Sequence, residues 1–326
     1  MSDQSPITDP YAYLNIVKNP DGSITRDVTN LPRASATPDP SSLNPVVFKD
    51  IPVNHSKSTY LRLYIPTATV NDGDSSQKLP LVIYYHGGGF ILGSVDFILF
   101  HDFCSDMARD LNAIVVSASY RLAPEHRLPA AYDDGIEALD WIRKSDDDWI
   151  RSHADFTNVY LMGTSAGGNL AYTVGLRSVD SDLSPLQIRG LILHHPFFGG
   201  EERCGSEIRL VNDQVCPPVV ADVFWDLSLP IGSDRDHEYS NPTVGGGSEK
   251  LEKIEELKWK VMVIGGEEDP VVDRQRDFSE FVKKKGIEVT ERFTGGDVHG
   301  AEILDPSKRG SLFASIRDFV SSSSAL

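Results

Sequence analysis

Two short glycine-rich stretches hold the residues in this chain best suited to chemistry: Gly163-Thr164-Ser165-Ala166-Gly167 and, upstream of it, His86-Gly87-Gly88-Gly89. A serine hydroxyl is a poor nucleophile at neutral pH and needs a neighbouring base. The G-x-S-x-G spacing puts the hydroxyl on a cramped strand-to-helix turn, with glycines either side so that strand and helix can approach closely. The partial positive charge of the helix N-terminus then lies beside a developing oxyanion. The Ala166 N–H is one candidate donor to that oxyanion, and Gly88 and Gly89, whose amides have no Cβ in the way, are the others. Losing one such donor costs roughly 3–4 kcal/mol of transition-state stabilisation. The pentapeptide alone is common by chance; paired with the upstream glycine run, each after an apolar stretch, it is specific. His86 is expected to brace the glycine turn by hydrogen bonding rather than to act as a base.

In the device built on such an elbow, an acid and then a histidine follow the nucleophile along the chain. Four histidines follow Ser165. His194 and His195 end an apolar run ahead of Pro196 and read as structural or pocket-lining. His237 sits in the charged run Asp234-Arg235-Asp236-His237-Glu238 and reads as solvated or ion-paired. His299 follows a strand-like segment and the Gly295-Gly296 turn and precedes the last helix, so it is the expected base. The acid should close the strand Val261 to Ile264, where Asp269 is the first choice and Glu268 and Asp273 are rivals. Asp273 could instead cap the helix that follows. The acid would hold His299 in one tautomer and stabilise its imidazolium.

These side chains require a scaffold that brings distant loops to one edge. The runs Leu81–Tyr85, Ala113–Ser117, Val159–Met162, Leu191–Leu193 and Val261–Ile264 are short and wholly apolar, as strands are when both faces of a parallel sheet are covered. Helix-like stretches alternate with them: Phe100–Leu111, Ala131–Lys144, Ala166–Arg177, Arg274–Lys285 and Pro306–Val320. The alternation predicts a doubly wound α/β sheet, whose ligands bind at the strands' C-terminal ends. Val47–Val53 and Thr59–Ile65 alternate apolar and polar residues, as half-buried edge strands do. Residues 1–45 read as an irregular or partly helical extension with one apolar cluster, Tyr11–Val17. Residues 200–243, with Pro217-Pro218 and the helix-like Val219–Leu229, read as an insertion that caps the sheet. Polar stretches at Asn71–Lys78 and Gly245–Ser248 read as loops.

A net charge of −17 argues against nucleic acid as a partner, because phosphate backbones need a basic face. No window approaches the roughly 18 apolar residues of a membrane span. The first residues lack the basic and apolar regions of a secretory signal, and three cysteines without a C-x-x-C pair fit a reducing compartment. The expectation is a soluble cytoplasmic protein.

His86-Gly87-Gly88-Gly89-Phe90, Tyr120-Arg121-Leu122-Ala123-Pro124-Glu125, the elbow Gly163–Asn169, Asp269-Pro270 with Asp273, and His299 together resemble the hormone-sensitive-lipase branch of the α/β-hydrolases. The wording His126–Asp134, Leu229-Pro230, Asp234–His237 and Asn241-Pro242 is similar to its plant carboxylesterase family. The resemblance spans about residues 10 to 320. It implies a single α/β-hydrolase domain over 1–326, capped by the N-terminal segment 1–45 and the 200–243 insertion. It also implies cofactor-free ester hydrolysis with Ser165, Asp269 and His299 as the triad. One position departs from the family pattern: Thr164 stands where Asp or Glu usually precedes the nucleophile.

The leading functional expectation is a serine carboxylesterase acting on short-acyl esters or plant metabolites. Phe90, Ile91, Leu92, Val219, Val220 and Phe224 would supply its apolar pocket, with core packing the expected role of at least half of them. Two readings from other classes stand beside it. Relatives in the same family include a dehydratase that uses such a site for elimination, and the gibberellin receptor, which binds a hormone and lacks the catalytic histidine.

Overall fold

The computed structural model describes residues 7–35, 44–71, 78–246 and 249–323. Most of the polar stretch at 71–78, Gly247 and Ser248 of the glycine loop, residues 1–6 and 36–43 of the expected N-terminal cap, and the last three residues lie outside them. In chain order the elements are α1 (Pro10–Tyr13), β1 (Ile16–Lys18), β2 (Ile24–Arg26), β3 (Val46–Asn54), β4 (Thr59–Pro66), α2 (Thr67–Asn71), β5 (Leu79–Tyr85), α3 (Ile98–Leu111) and β6 (Ile114–Ala118). There follow α4 (Ala130–Lys144), α5 (Asp148–His153), β7 (Ala154–Thr164), α6 (Ala166–Ser178), β8 (Ile188–His194), α7 (Gly205–Arg209) and α8 (Pro218–Ser228). The chain closes with α9 (Lys250–Glu256), β9 (Lys260–Gly266), α10 (Val272–Lys284), β10 (Val289–Thr294), α11 (Ala301–Leu304) and α12 (Arg309–Ser323).

Eight strands form one sheet in the order β10-β9-β8-β7-β5-β6-β4-β3. The strands from β10 to β6 are parallel, and β4 and β3 add an antiparallel edge. The apolar runs need both faces covered, and both are. Leu81, Ile83, Tyr85 and Leu161 join one core with Ala138, Leu170 and Phe278 from α4, α6 and α10. Val82, Tyr84, Tyr160 and Met162 join the other with Phe103 and Met107 of α3 and Phe313 and Ile316 of α12. Residues one apart point to opposite faces, which is why a continuous apolar run suits a central strand.

The register aligns the C-terminal ends. Tyr85 pairs with Gly163, Thr164 with His194, and His194 with Ile264. The loops after β5, β7, β8, β9 and β10 therefore open on one edge.

Residues 7–35 of the N-terminal segment hold more regular structure than their composition suggests. The Asp9 carboxylate caps α1 by accepting from the Tyr11 and Ala12 N–H groups, and β1 and β2 form a small antiparallel ribbon. Ile16 and Ile24 of that ribbon are buried against Ile91, Ala123, and Val223 and Leu227 of α8. Arg26 fastens it further, donating to the Ile91 carbonyl at 2.6 Å and to Glu125 at 2.7 Å. This ribbon and α8 thus lie together over the loop that follows the glycine run.

Candidate active site

Strand β7 delivers Ser165 to the sheet edge and α6 begins at the next residue. The turn between them is strained: Ser165 has φ 56° and ψ −120°, a left-handed backbone that costs a non-glycine residue of order 1–3 kcal/mol. Packing enforces it. A Cβ on Gly163 would lie 2.0 Å from the Gly167 carbonyl oxygen, and one on Gly167 would lie 2.0 Å from that of Tyr85. Only glycine fits at either place. The Ser165 N–H donates to the His194 carbonyl at 2.9 Å, and its own carbonyl accepts from Phe197 N–H at 3.0 Å, so the end of β8 clamps the elbow.

The glycine run follows β5 and lies over this turn, with the Gly87 Cβ position 3.3 Å from Ser165 Cβ. His86 is buried and stacks on Tyr120 with ring centroids 4.4 Å apart. Its Nδ1 lies 2.8 Å from the Gly87 carbonyl, and burial pushes its pKa down to about 4. It is a neutral brace at neutral pH, 34 positions from the tyrosine whose hydroxyl also donates to its carbonyl.

The structure brings Ser165, His299 and Asp269 together. His299 Nε2 is 2.8 Å from Ser165 Oγ, and His299 Nδ1 is 2.8 Å from Asp269 Oδ2. An ionised carboxylate only accepts, so Nδ1 carries the proton and Nε2 is left to accept from the serine hydroxyl. Asp269 is fully buried; burial alone would raise its pKa, but His299 and His195 outweigh this and hold the carboxyl well below the usual range. Its other oxygen accepts from Val271 N–H at 3.0 Å. The rival acids are occupied elsewhere. Glu268 pairs with Arg209 at 3.0 Å. Asp273 does not cap α10, in whose first turn it lies; it accepts from the Ser206 N–H of α7 at 2.7 Å.

Two residues of the site were not legible as such. His195, at φ 46°, places Nδ1 3.0 Å from Asp269 Oδ2 and Nε2 3.3 Å from Glu302 Oε2. His194 places Nε2 3.0 Å from the same Glu302 oxygen and Nδ1 2.9 Å from Thr164 Oγ1. Tyr84 OH lies 2.8 Å from that same threonine oxygen. The departure at position 164 is thus a buried hydroxyl linking a tyrosine to a histidine. Burial lowers the His194 pKa, whereas His195 is raised to about 9: burial opposes the charge, but Asp269 and Glu302 overcome it. The only sequence signal for Glu302 was its place three residues after His299. Among the described residues His237 pairs with no acid; it accepts from Tyr239 N–H at 3.2 Å and packs on that ring.

Among the described residues, His194, His195 and Glu302 form one cluster tight enough to meet a metal ion, and His195, Asp269 and His299 form another. The hydrogen bonds above already satisfy both sets, and an ion in the second would displace the His299–Asp269 contact.

Of the six expected pocket residues, three are core. Phe90 is 1% exposed and packs on Tyr132 and Trp225; Ile91 and Val220 are equally buried. Phe90 and Ile91, just past the glycine run, pack on Trp225 and on Val223 and Leu227 of α8, and Val220 is a buried residue of α8 itself. Leu92, Val219 and Phe224 are half-buried. Phe224 lies flat against the glycine run, its ring 2.3 Å from where a Gly89 Cβ would stand.

The comparisons agree with this fold. The family model described as alpha/beta hydrolase fold matches residues 82–303. Carboxylesterase 20 of Arabidopsis thaliana is 76% identical over 323 residues, covering 98% of this chain and 99% of its own. The 3-O-acetylpapaveroxine carboxylesterase CXE2 of Papaver somniferum is 38% identical, covering 96% of this chain and 100% of its own. An esterase structure from Pyrobaculum calidifontis superposes with a TM-score of 0.69 at 27% identity, covering 86% of each chain. The chain belongs to the α/β-hydrolase fold family and, within its hormone-sensitive-lipase-like branch, to the plant carboxylesterases.

Proposed function

We propose that this chain is a serine carboxylesterase that hydrolyses short-acyl esters of small molecules through an acyl-enzyme. The hydrogen-bonded line Ser165–His299–Asp269 carries the reading. His299 Nε2 takes the Ser165 proton as Oγ attacks the ester carbonyl, and the N–H groups of Gly88, Gly89 and Ala166 receive the oxyanion. The resulting imidazolium, steadied by Asp269, protonates the leaving alcohol. Water, deprotonated by the same nitrogen, then attacks the acyl-serine and releases the acid. The N-terminal ribbon and the 200–243 insertion cap the site, with Leu92, Val219 and Phe224 facing the acyl group. A ring pressed on the oxyanion loop favours small acyl groups, and the poppy relative's name specifies an acetyl ester. Three free cysteines fit the cytoplasm.

Turnover of p-nitrophenyl acetate and butyrate tests the proposal. Ser165→Ala should abolish it while leaving the melting temperature near that of the parent. Wild-type protein without ester turnover, or turnover unchanged by Ser165→Ala, would reject the reading. Product formed from a β-hydroxy ketone without consumption of water would favour elimination instead.

A further inference from the structure

Hydrolysis as proposed uses one histidine, yet Asp269 is shared between two. His195 Nδ1 reaches the same carboxylate oxygen as His299 Nδ1, at 3.0 Å against 2.8 Å. The other ring nitrogen of His195 faces Glu302 at 3.3 Å. Both nitrogens therefore address carboxylates, which accept and do not donate, so both ring nitrogens are donors and the ring is a cation. The neighbouring His194 has a different pattern. Its Nε2 faces Glu302, but Nδ1 faces the Thr164 hydroxyl, which can donate as well as accept, so nothing there demands a second proton and burial keeps the ring neutral.

We propose that His195, clamped as an imidazolium between Asp269 and Glu302, is a positioning residue of the triad that sets the pH at which His299 becomes an active base. This rests on the esterase reading for its kinetic consequence but not for its protonation state. Two physical effects follow. A donor at Nδ1, together with the Gln275 amide that donates to the same oxygen at 3.0 Å, holds the Asp269 carboxylate in rotation, so that Oδ2 stays aimed at His299. A positive ring whose centroid lies 5.6 Å from that of His299 disfavours a second cation there, partly offsetting the pull of Asp269.

The charged and titratable groups around His195 are few. Asp269 approaches from the turn after β9, Glu302 from α11, His299 from the loop before it, and His194 precedes it in the chain. Arg292 on β10 pairs with the far oxygen of Glu302 at 2.9 Å, and Arg309 meets that residue through its main-chain carbonyl. The buried Cys216 thiol, pushed up chiefly by burial and then by Asp269, stays neutral. The raised affinity of His195 for its second proton, with a pKa of about 9, agrees with the geometry.

The test uses the full-length protein and two readouts. In the first, kcat/KM for p-nitrophenyl butyrate is followed against pH. His195→Gln removes the cation and leaves two carboxylates, so protonating His299 becomes easier and the acid limb should move to higher pH by about one unit. A residue that only supported the fold would lower stability or amplitude without moving the limb. In the second, the histidine ring nitrogens of wild-type protein are observed by 15N NMR. One of the nine histidines should keep both nitrogens protonated at pH 8, and Glu302→Gln should lower the pH at which that signal is lost. If His195→Gln fails to fold, the wild-type spectrum still decides. A spectrum with no doubly protonated ring at pH 8, or an unmoved acid limb in folded His195→Gln, overturns the proposal. Absence of ester turnover in the wild type would reject the esterase reading alone, because the NMR readout needs no substrate.

Discussion

Thr164 shows how one residue can settle the electrostatics of its neighbours. A carboxylate there would have set a second anion beside His194; the hydroxyl instead relays between Tyr84 and His194 with no charge. Thr164→Val keeps the volume but strands a buried tyrosine hydroxyl and a buried imidazole nitrogen. Each unmet group costs about 1–3 kcal/mol, so chemical denaturation should show a loss of that order or somewhat more. An unchanged midpoint would mean that water replaces the hydroxyl. At the acid, Asp269→Asn removes the acceptor that selects the His299 tautomer, and kcat should fall by about four orders of magnitude with KM changed far less. A fall under tenfold would show that Asp269 does not orient the base.

Among the elements, α8 and the β1–β2 ribbon pack together over the loop that follows the glycine run. Phe224 on α8 lies against Gly89 and edge-on to Phe197, with centroids 6.0 Å apart. Phe224→Ala should open space beside the oxyanion loop and raise the ratio of p-nitrophenyl octanoate to acetate turnover at least severalfold. A constant ratio would place the acyl group elsewhere. Legibility differed sharply between elements. Strands β5 to β9 could be read because wholly apolar runs have few other uses, and His299 because a glycine turn and a helix bracket it. Helix α11 could not be read: it spans four residues, too short for any periodicity. Its Glu302 was hidden with it, and so was the part played by His195. The contact of Glu302 with two histidines 107 and 108 positions away is tertiary. Phe90, Ile91 and Val220 could not be told from pocket lining for a related reason, since apolar character does not distinguish the wall of a pocket from the packing behind it.

At the scale of the molecule, buried titrating groups make stability depend on pH in both directions. His86 has its pKa pushed down to about 4 from an ordinary 6.5. Its contribution is present above 6.5 and is lost as the pH falls toward 4. His195 is raised from 6.5 to about 9, so its contribution is full below 6.5 and is lost as the pH rises through 9. The melting temperature should therefore be highest near neutrality and lower at both pH 4.5 and pH 9.5, as followed by circular dichroism. A melting temperature still climbing at pH 9.5 would contradict a cationic His195. The two-faced core sets the larger scale of stability. Met162 is buried beneath the elbow, and Met162→Ala should cost about 2–5 kcal/mol.

If Ser165 is the nucleophile and His299 its base, covalent capture will show it. Wild-type protein treated with diethyl p-nitrophenyl phosphate, with its mass read intact and then after proteolysis, should gain one diethylphosphoryl group on the peptide carrying Ser165. His299→Ala should be modified far more slowly and Ser165→Ala not at all. A label on any other residue, or equal labelling of Ser165→Ala, would contradict the account.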